Sequence, residues 1–309
     1  MRSIPDYVSD ILICPKCHSK LLADNDDNFI CHSCSEVYGF SESGSLDLRL
    51  KSEKAVIEQV ILGKNLSMPA HLTNGSLVLN PNPQVDFSGF VTPRHLTREL
   101  LSYFPKASGD HSMILDLGCG DTVHREVCEH AGFEYIGLDF SNEKAPYLGD
   151  GHALPFRDGS FDFALMIAVL EHIQYPLVLM SEVKRVLRPG GTLIGTVSFL
   201  EPFHENSLYH HTHLGLYNDL SCAGFEIEQL SASKEWQVFD AQAKMAGWIF
   251  FPGMPKPLRN GIIRLPKQLS HWWYSVNRLI RKKSLPESIS NVTGAFTFIA
   301  KKPAITDTC

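Results

Sequence analysis

No stretch of this 309-residue chain approaches the ~18 uninterrupted apolar residues of a membrane-spanning helix. The opening Met1-Arg2-Ser3-Ile4-Pro5-Asp6 holds no secretory apolar core, because a proline and an acid interrupt it at once. Both absences lead us to expect a cytoplasmic, reducing setting, in which eight cysteines would be awkward as four disulfides. Acids are scarce at one end: residues 251–309 carry 10 basic and 2 acidic side chains, against 18 and 32 in residues 1–250. The tail is therefore a different electrostatic object from the acidic body. Tryptophan is rare, and all four copies (Trp236, Trp248, Trp272 and Trp273) fall in one region. The length suits one large domain with a small one, or two medium domains.

The cysteines that are present are patterned. Cys14-Pro15-Lys16-Cys17 and Cys31-His32-Ser33-Cys34 are two C-x2-C pairs separated by thirteen residues. Four thiolates delivered from two tight knuckles suit a closed tetrahedral zinc site of structural type. His18 and His32 read as exposed neighbours of that site, not as ligands. A module of residues 1–50 could not bury a core of its own, so the metal would hold it folded. Residues 8–50 offer Lys16, Lys20 and Arg49 as bases against seven acids, a poor phosphate-binding face.

Further on, Met113-Ile114-Leu115-Asp116-Leu117-Gly118-Cys119-Gly120 is an apolar strand running into a glycine turn. About twenty residues later, Tyr135-Ile136-Gly137-Leu138-Asp139 is a second strand ending in an acid. Glycine lets backbone approach a ligand at a helix start, and the acid accepts hydrogen bonds from ribose hydroxyls, so the pair reads as a nucleotide-cofactor site. Strands and helices alternate from Met113 onward, which predicts an α/β fold with a parallel, doubly covered sheet.

The same blocks continue through Gly149-Asp150-Gly151-His152-Ala153-Leu154-Pro155-Phe156, Phe161–Met166, Val169-Leu170-Glu171-His172-Ile173 and Glu182–Gly191. In this order they resemble the class I S-adenosylmethionine-dependent methyltransferases, the small Rossmann-like type, over roughly residues 90–230. The resemblance implies a seven-stranded sheet with its last strand at Ala295–Ala300, and S-adenosylmethionine as cofactor. It places Asp116, Gly118, Cys119 and Gly120 along the methionine part, Asp139 on the ribose, Asp150 and His152 beside the adenine, and Met166 on the floor. One departure is visible: the family often has a third glycine two places after Gly120, where this chain has Thr122. Residues 8–50 resemble the small zinc-ribbon family that includes the activator subunit of tRNA and protein methyltransferases. The matching pieces are Asp10–Pro15, Phe29–Cys31, Tyr38–Phe40 and Gly44–Leu46.

Three segments remain: a linker and cofactor-covering segment over 51–92, with a helix expected at Ser52–Leu62; a methyltransferase domain over 93–309; and, inside it, an insertion at about 236–290. Thr92-Pro93-Arg94 reads as a helix start, with Leu96, Leu100, Leu101 and Phe104 as its apolar face. Acceptor chemistry belongs at the carboxyl ends of the strands. Two His-bearing segments fall there: Glu171-His172, and the loop holding His204, Tyr209, His210, His211 and His213. Imidazole is matched to proton removal near neutral pH, so His204 is the first candidate base, followed by His211 and His213, then His172. Thr212 reads as the N-cap of a helix over Leu214–Cys222. A divalent metal on this His cluster is a further alternative, though its spacing is not a familiar ligand pattern.

The insertion sets apolar Trp248-Ile249-Phe250-Phe251 near basic Arg278, Arg281, Lys282 and Lys283. It reads either as a helical lid or as a peripheral membrane contact through residues 236–290. The reading that follows is methyl transfer to a small-molecule, sugar or lipid-linked acceptor at oxygen, with a His general base. An rRNA or tRNA base methyltransferase and a non-catalytic cofactor-binding scaffold are the alternatives. Nucleic acid fits the acidic body less well.

Overall fold

The computed structural model describes residues 4–24, 28–58, 83–201, 206–233, 236–282 and 291–304. The chain opens with one helical turn, Asp6–Ser9 (α1), and four short strands: Leu21–Ala23 (β1), Phe29–Cys31 (β2), Val37–Phe40 (β3) and Leu46–Asp47 (β4). Neighbours among these four pair antiparallel. After the helix Arg98–Leu101 (α2) comes the alternating core: Met113–Leu117 (β5), Arg125–His130 (α3), Glu134–Asp139 (β6), Tyr147–Leu148 (β7), Phe161–Ile167 (β8), Pro176–Val186 (α4) and Leu187–Ser198 (β9). The chain closes with His213–Ala223 (α5), Glu226–Ala232 (β10), Val238–Phe250 (α6), Lys256–Ile280 (α7) and Ala295–Lys301 (β11).

The strands stand in the order β1-β2-β3-β4-β7-β6-β5-β8-β9-β11-β10. From β7 to β9 all pairs are parallel, and β11 runs antiparallel between β9 and β10. Strand order reverses at β5: the chain proceeds outward through β6 and β7 on one side and through β8 and β9 on the other. That reversal opens a crevice at the strands' carboxyl ends, where ligands of open α/β sheets bind.

β5 shows how sequence builds the layers. All five of its residues are buried, and alternation sends Met113, Leu115 and Leu117 into one apolar cluster and Ile114 into the other. The first cluster lies under α4 and α5, the second under α2 and α3. A strand covered on both faces reads as a continuous apolar run, and this one does.

Three expectations change. The sheet runs to eleven strands, because the four of the N-terminal module (β1 to β4) extend the seven from β5 to β11. β4 pairs in parallel with β7 through Leu46–Tyr147 and Asp47–Leu148, so the N-terminal module caps the sheet edge. Its side chains enter the main core: Tyr38, Leu46 and Leu48 are wholly buried, and Leu12 bridges Phe156. The helix expected at Ser52–Leu62 is not formed over 52–58, where Val56 and Ile57 are exposed, and 59–62 lie outside the described residues. Finally, α2 starts at Arg98, not after Thr92. Thr97 is the N-cap, its Oγ1 accepting from the Leu100 N–H at 2.9 Å. Leu96, Leu100, Leu101 and Phe104 are all buried, as the apolar face required. The helix capped by Thr212 and the late strand β11 form where the sequence put them. The insertion between β10 and β11 is helical, as α6 and α7.

Candidate functional site

The turn after β5 is shaped by backbone that side chains rarely tolerate. Gly118 and Gly120 adopt φ of 69° and 50°, and Thr122 follows at 58°. A Cβ on Gly118 would meet Val169 Cγ2 at 2.5 Å, so only glycine fits, whereas one on Gly120 would make only an ordinary contact with Asn142 Nδ2 at 3.8 Å. Thr122 thus keeps a left-handed backbone at the place where a third glycine is often found, although β-branched residues adopt it rarely. The turn lies across the end of β6: the N–H groups of Gly118 and Cys119 donate to the Leu138 carbonyl at 2.8 and 3.2 Å.

Asp139, at the end of β6, holds both loops. Its Oδ2 accepts from the Gly120 N–H at 3.0 Å, and its Oδ1 from those of Ser141 and Asn142 at 3.0 and 2.9 Å. Beneath the turn, Asp116 is 1% exposed. It accepts from the Tyr135 hydroxyl at 2.6 Å and from His124 Nδ1 at 3.2 Å. His124 Nε2 donates to the Arg94 carbonyl at 3.2 Å, so both ring nitrogens act as donors. Burial alone would lower the His124 pKa, but the hydrogen bond and charge of Asp116 outweigh it and raise the pKa above the ordinary value.

A cleft of about 700 Å³ opens at the switch point. The glycine turn and Cys119 form one side; Ile167, Ala168, Glu171 and His172 form the facing side; Ser198, Glu201, Trp236 and Lys244 close the far wall. Gly118, Cys119, Gly120 and His172 are therefore the sequence candidates that the cleft brings together. Asp139 braces the turn from behind. Asp150 and His152 stand beyond β7, paired to each other at 2.6 Å, with His152 Nε2 accepting from the Tyr175 N–H. Burial opposes ionisation of Asp150, yet its bonds to His152 hold its carboxyl below the usual range. Met166 is wholly buried in the sheet, and its neighbours Ile167 and Ala168 line the cleft instead.

The His candidates separate. His204 lies outside the described residues. His211 is buried off the cleft, its Nε2 3.7 Å from Asp219, and its Nδ1 has no partner among the described residues. Burial disfavours the charged form of each, pushing His211 down to about 4 and Asp219 up to about 6. His213 is exposed, beside the Phe296 ring. Of the three described, only His172 lines the cleft. Its Nδ1 donates to the Asn206 carbonyl at 3.0 Å, which leaves the lone pair of the neutral ring on Nε2.

Glu171 was not singled out by the sequence. It is 1% exposed, burial raises its pKa, and its Oε2 has no partner among the described residues. A buried acceptor without a donor, on a cleft wall, fits a ligand that brings one. The block Val169–Ile173 contains it, but its isolation arises only where β8, β9 and the loop at Leu208 meet.

The four cysteines of the N-terminal module also converge. Their sulfurs lie within 4.8 Å of one another, with Cys14–Cys34 at 3.6 Å and Cys17–Cys31 at 3.4 Å. A tetrahedron with Zn–S arms of ~2.3 Å has edges of about 3.8 Å, so the set fits such an ion. The N–H groups of Ser33 and Cys34 point at Cys31 Sγ, both at 3.4 Å. The residue after each pair, His18 or Ser35, is left-handed, so the two knuckles repeat one geometry.

Residues 115–195 match the family model described as a methyltransferase domain. A 37.1 kDa protein from transposon TN4556 of Streptomyces fradiae is 37% identical over 99 residues, covering 26% of this chain and 28% of its own length. An uncharacterized methyltransferase of Mycolicibacterium gilvum is 33% identical over 114 residues, covering 32% of this chain and 45% of its own. The chain thus spans less than half the length of these curated relatives. Among solved structures, a phosphoethanolamine N-methyltransferase 2 of Haemonchus contortus in complex with S-adenosyl-L-methionine is 18% identical, with a TM-score of 0.42 over 64% of this chain and 50% of that one. The family match and the named relatives support a methyltransferase domain over residues 115–195.

Proposed function

We propose that this chain transfers the methyl group of S-adenosylmethionine to a hydroxyl of a small-molecule, sugar or lipid-linked acceptor. The observation that carries this reading is the cleft at the strand-order reversal, with a glycine turn on one side and Glu171 and His172 on the other. Asp116, Gly118, Cys119, Gly120 and Asp139 would hold the cofactor, with Asp150 and His152 toward its adenine. When bound, the cofactor supplies an activated methyl on a sulfonium.

The remaining work belongs to the chain. A hydroxyl nucleophile must lose its proton, and His172 Nε2 accepts it, because the Nδ1 bond to Asn206 selects that nitrogen. The charge of Glu171 and that of His172 favour each other, so the carboxylate steadies the imidazolium that forms. The far wall of the cleft mixes Trp236 with Ser198, Glu201, Ser233 and Lys244, a lining suited to a hydroxylated acceptor. Lys244 sits 4.8 Å over the Trp236 ring and is ion-paired to Glu201, so the insertion itself completes this wall.

In the same reading Cys14, Cys17, Cys31 and Cys34 hold a structural zinc ion with no open position. The ribbon does not favour RNA: Lys16 is paired with Glu36, and Arg49 with Asp47. The test is to offer methyl-labelled cofactor and the purified protein to a cell extract. Label in small molecules, glycans or lipids supports the proposal; label confined to RNA overturns it.

A further inference from the structure

Helix α7 turns its apolar side outward. At 100° per residue, Leu258, Ile262, Leu265, Leu269, Trp272 and Trp273 fall within an arc of about 100°. Each is 41% to 61% exposed, and no residue of the 25-residue helix is buried. Its other side makes the contacts with α6. There Lys267 pairs with Asp240, the His271 ring meets Phe239 edge-on and the Tyr274 ring lies tilted beside it, and the Arg259 stem lies on Gly247. The side toward α6 is mixed, with Ile263 and Tyr274 beside Lys267 and Arg259, while the outward side is apolar. The end of α6 extends the patch, with Ile249 at 65% and Phe250 at 71% exposure. A contiguous apolar patch of this kind marks an interaction surface.

Its charge selects the occupant. Residues 241–282 contain no Asp or Glu and carry eight cations: Lys244, Lys256, Arg259, Arg264, Lys267, Arg278, Arg281 and Lys282. The chain as a whole is net −6. Lys244 and Lys267 pair with Glu201 and Asp240, yet the segment as a whole stays strongly basic, so an anionic lipid surface meets it with counter-charge and receives the Leu and Trp side chains at its boundary. No described helix is long and apolar enough to cross a membrane.

We propose that α7 and the end of α6 seat this protein on an anionic membrane surface, with α7 lying in the interface plane. The acidic body is repelled from such a surface, so the contact orients the molecule on one side. This inference stands on the helix and its charges and does not depend on the methyl-transfer reading.

The full chain would be sedimented with phosphatidylcholine vesicles, with and without phosphatidylglycerol, at low and high salt. The protein is expected to pellet with the anionic vesicles, about tenfold more weakly with phosphatidylcholine alone, and less as salt rises. The double variant Leu265→Glu with Trp272→Glu should stay in the supernatant while keeping its melting temperature. A wild-type protein that stays in solution with anionic vesicles overturns the proposal, as does a folded double variant that pellets equally. So does a dimer that the variant dissolves in the absence of lipid binding, which would make the face a protein interface.

Discussion

The backbone N–H of Gly120 donates to Asp139 Oδ2 across 3.0 Å, tying the turn after β5 directly to the acid that ends β6. The two motifs read separately in the sequence are one bonded unit, and the cleft is built against it.

The glycines of that unit differ in what they tolerate. Gly118→Ala meets Val169 at 2.5 Å as well as a left-handed backbone, whereas Gly120→Ala meets only the backbone term. We expect Gly120→Ala to cost about 1–2 kcal/mol and Gly118→Ala clearly more. Thr122→Gly, which relieves a φ of 58°, should be neutral or stabilising. Chemical denaturation of the three variants measures the order, and equal costs for the two alanines would refute the steric argument.

His124 gives the fold a pH signature. Its pKa is raised in the folded state, since Asp116 outweighs burial, so its contribution is present below the ordinary imidazole value of ~6.5 and is lost as pH rises through the folded value. Stability should therefore fall over that window in the wild type, and the fall should shrink in His124→Gln. Parallel pH–stability curves for the two proteins would contradict this.

Glu171 and His172 act on different readouts. Burial raises the Glu171 pKa, so its ionised form penalises the fold as pH rises above the ordinary carboxylate range. Glu171→Gln should hold or gain stability at neutral pH while losing turnover. His172→Ala should lower turnover by roughly 10²–10⁴ without weakening cofactor binding. His211→Ala, by contrast, should lower stability and leave the shape of the pH–rate profile unchanged, because its ring is buried away from the cleft. A His211 variant that shifts that profile would move the base off His172.

Removing the proposed zinc should loosen more than the ribbon. Tyr38, Leu46 and Leu48 are wholly buried in the shared core, and β4 extends the sheet. We expect one zinc per chain by elemental analysis, and a lower melting temperature in Cys14→Ser or after chelation. Metal-free protein with an unchanged melt would rule out the structural role.

Much of this was legible because its signals are local. Met113–Leu117 reads as a covered strand from its apolar run, the C-x2-C pairs read as one site from spacing, and Thr212 reads as a cap from its neighbours. What escaped depends on distant contacts. The two-residue strand Leu46–Asp47 is too short to show a period, so its joining of the sheet was invisible. The choice of Thr97 over Thr92 as cap follows from Leu96 and Leu100 reaching the core, which no local pattern weighs. Glu171 gains its character only once β9 and the Leu208 loop cover it. The periodicity of α7 shows an apolar side, yet only the structure shows that this side faces outward.

Titration of S-adenosylmethionine into the purified chain, measured calorimetrically beside Asp139→Ala, tests the cofactor site most directly. We expect saturable one-to-one binding by the wild type and at least about a tenfold weaker affinity in the variant, since the carboxylate proposed to hold the ribose also braces Gly120. A folded wild type that does not bind, or a variant that binds equally well, would contradict it.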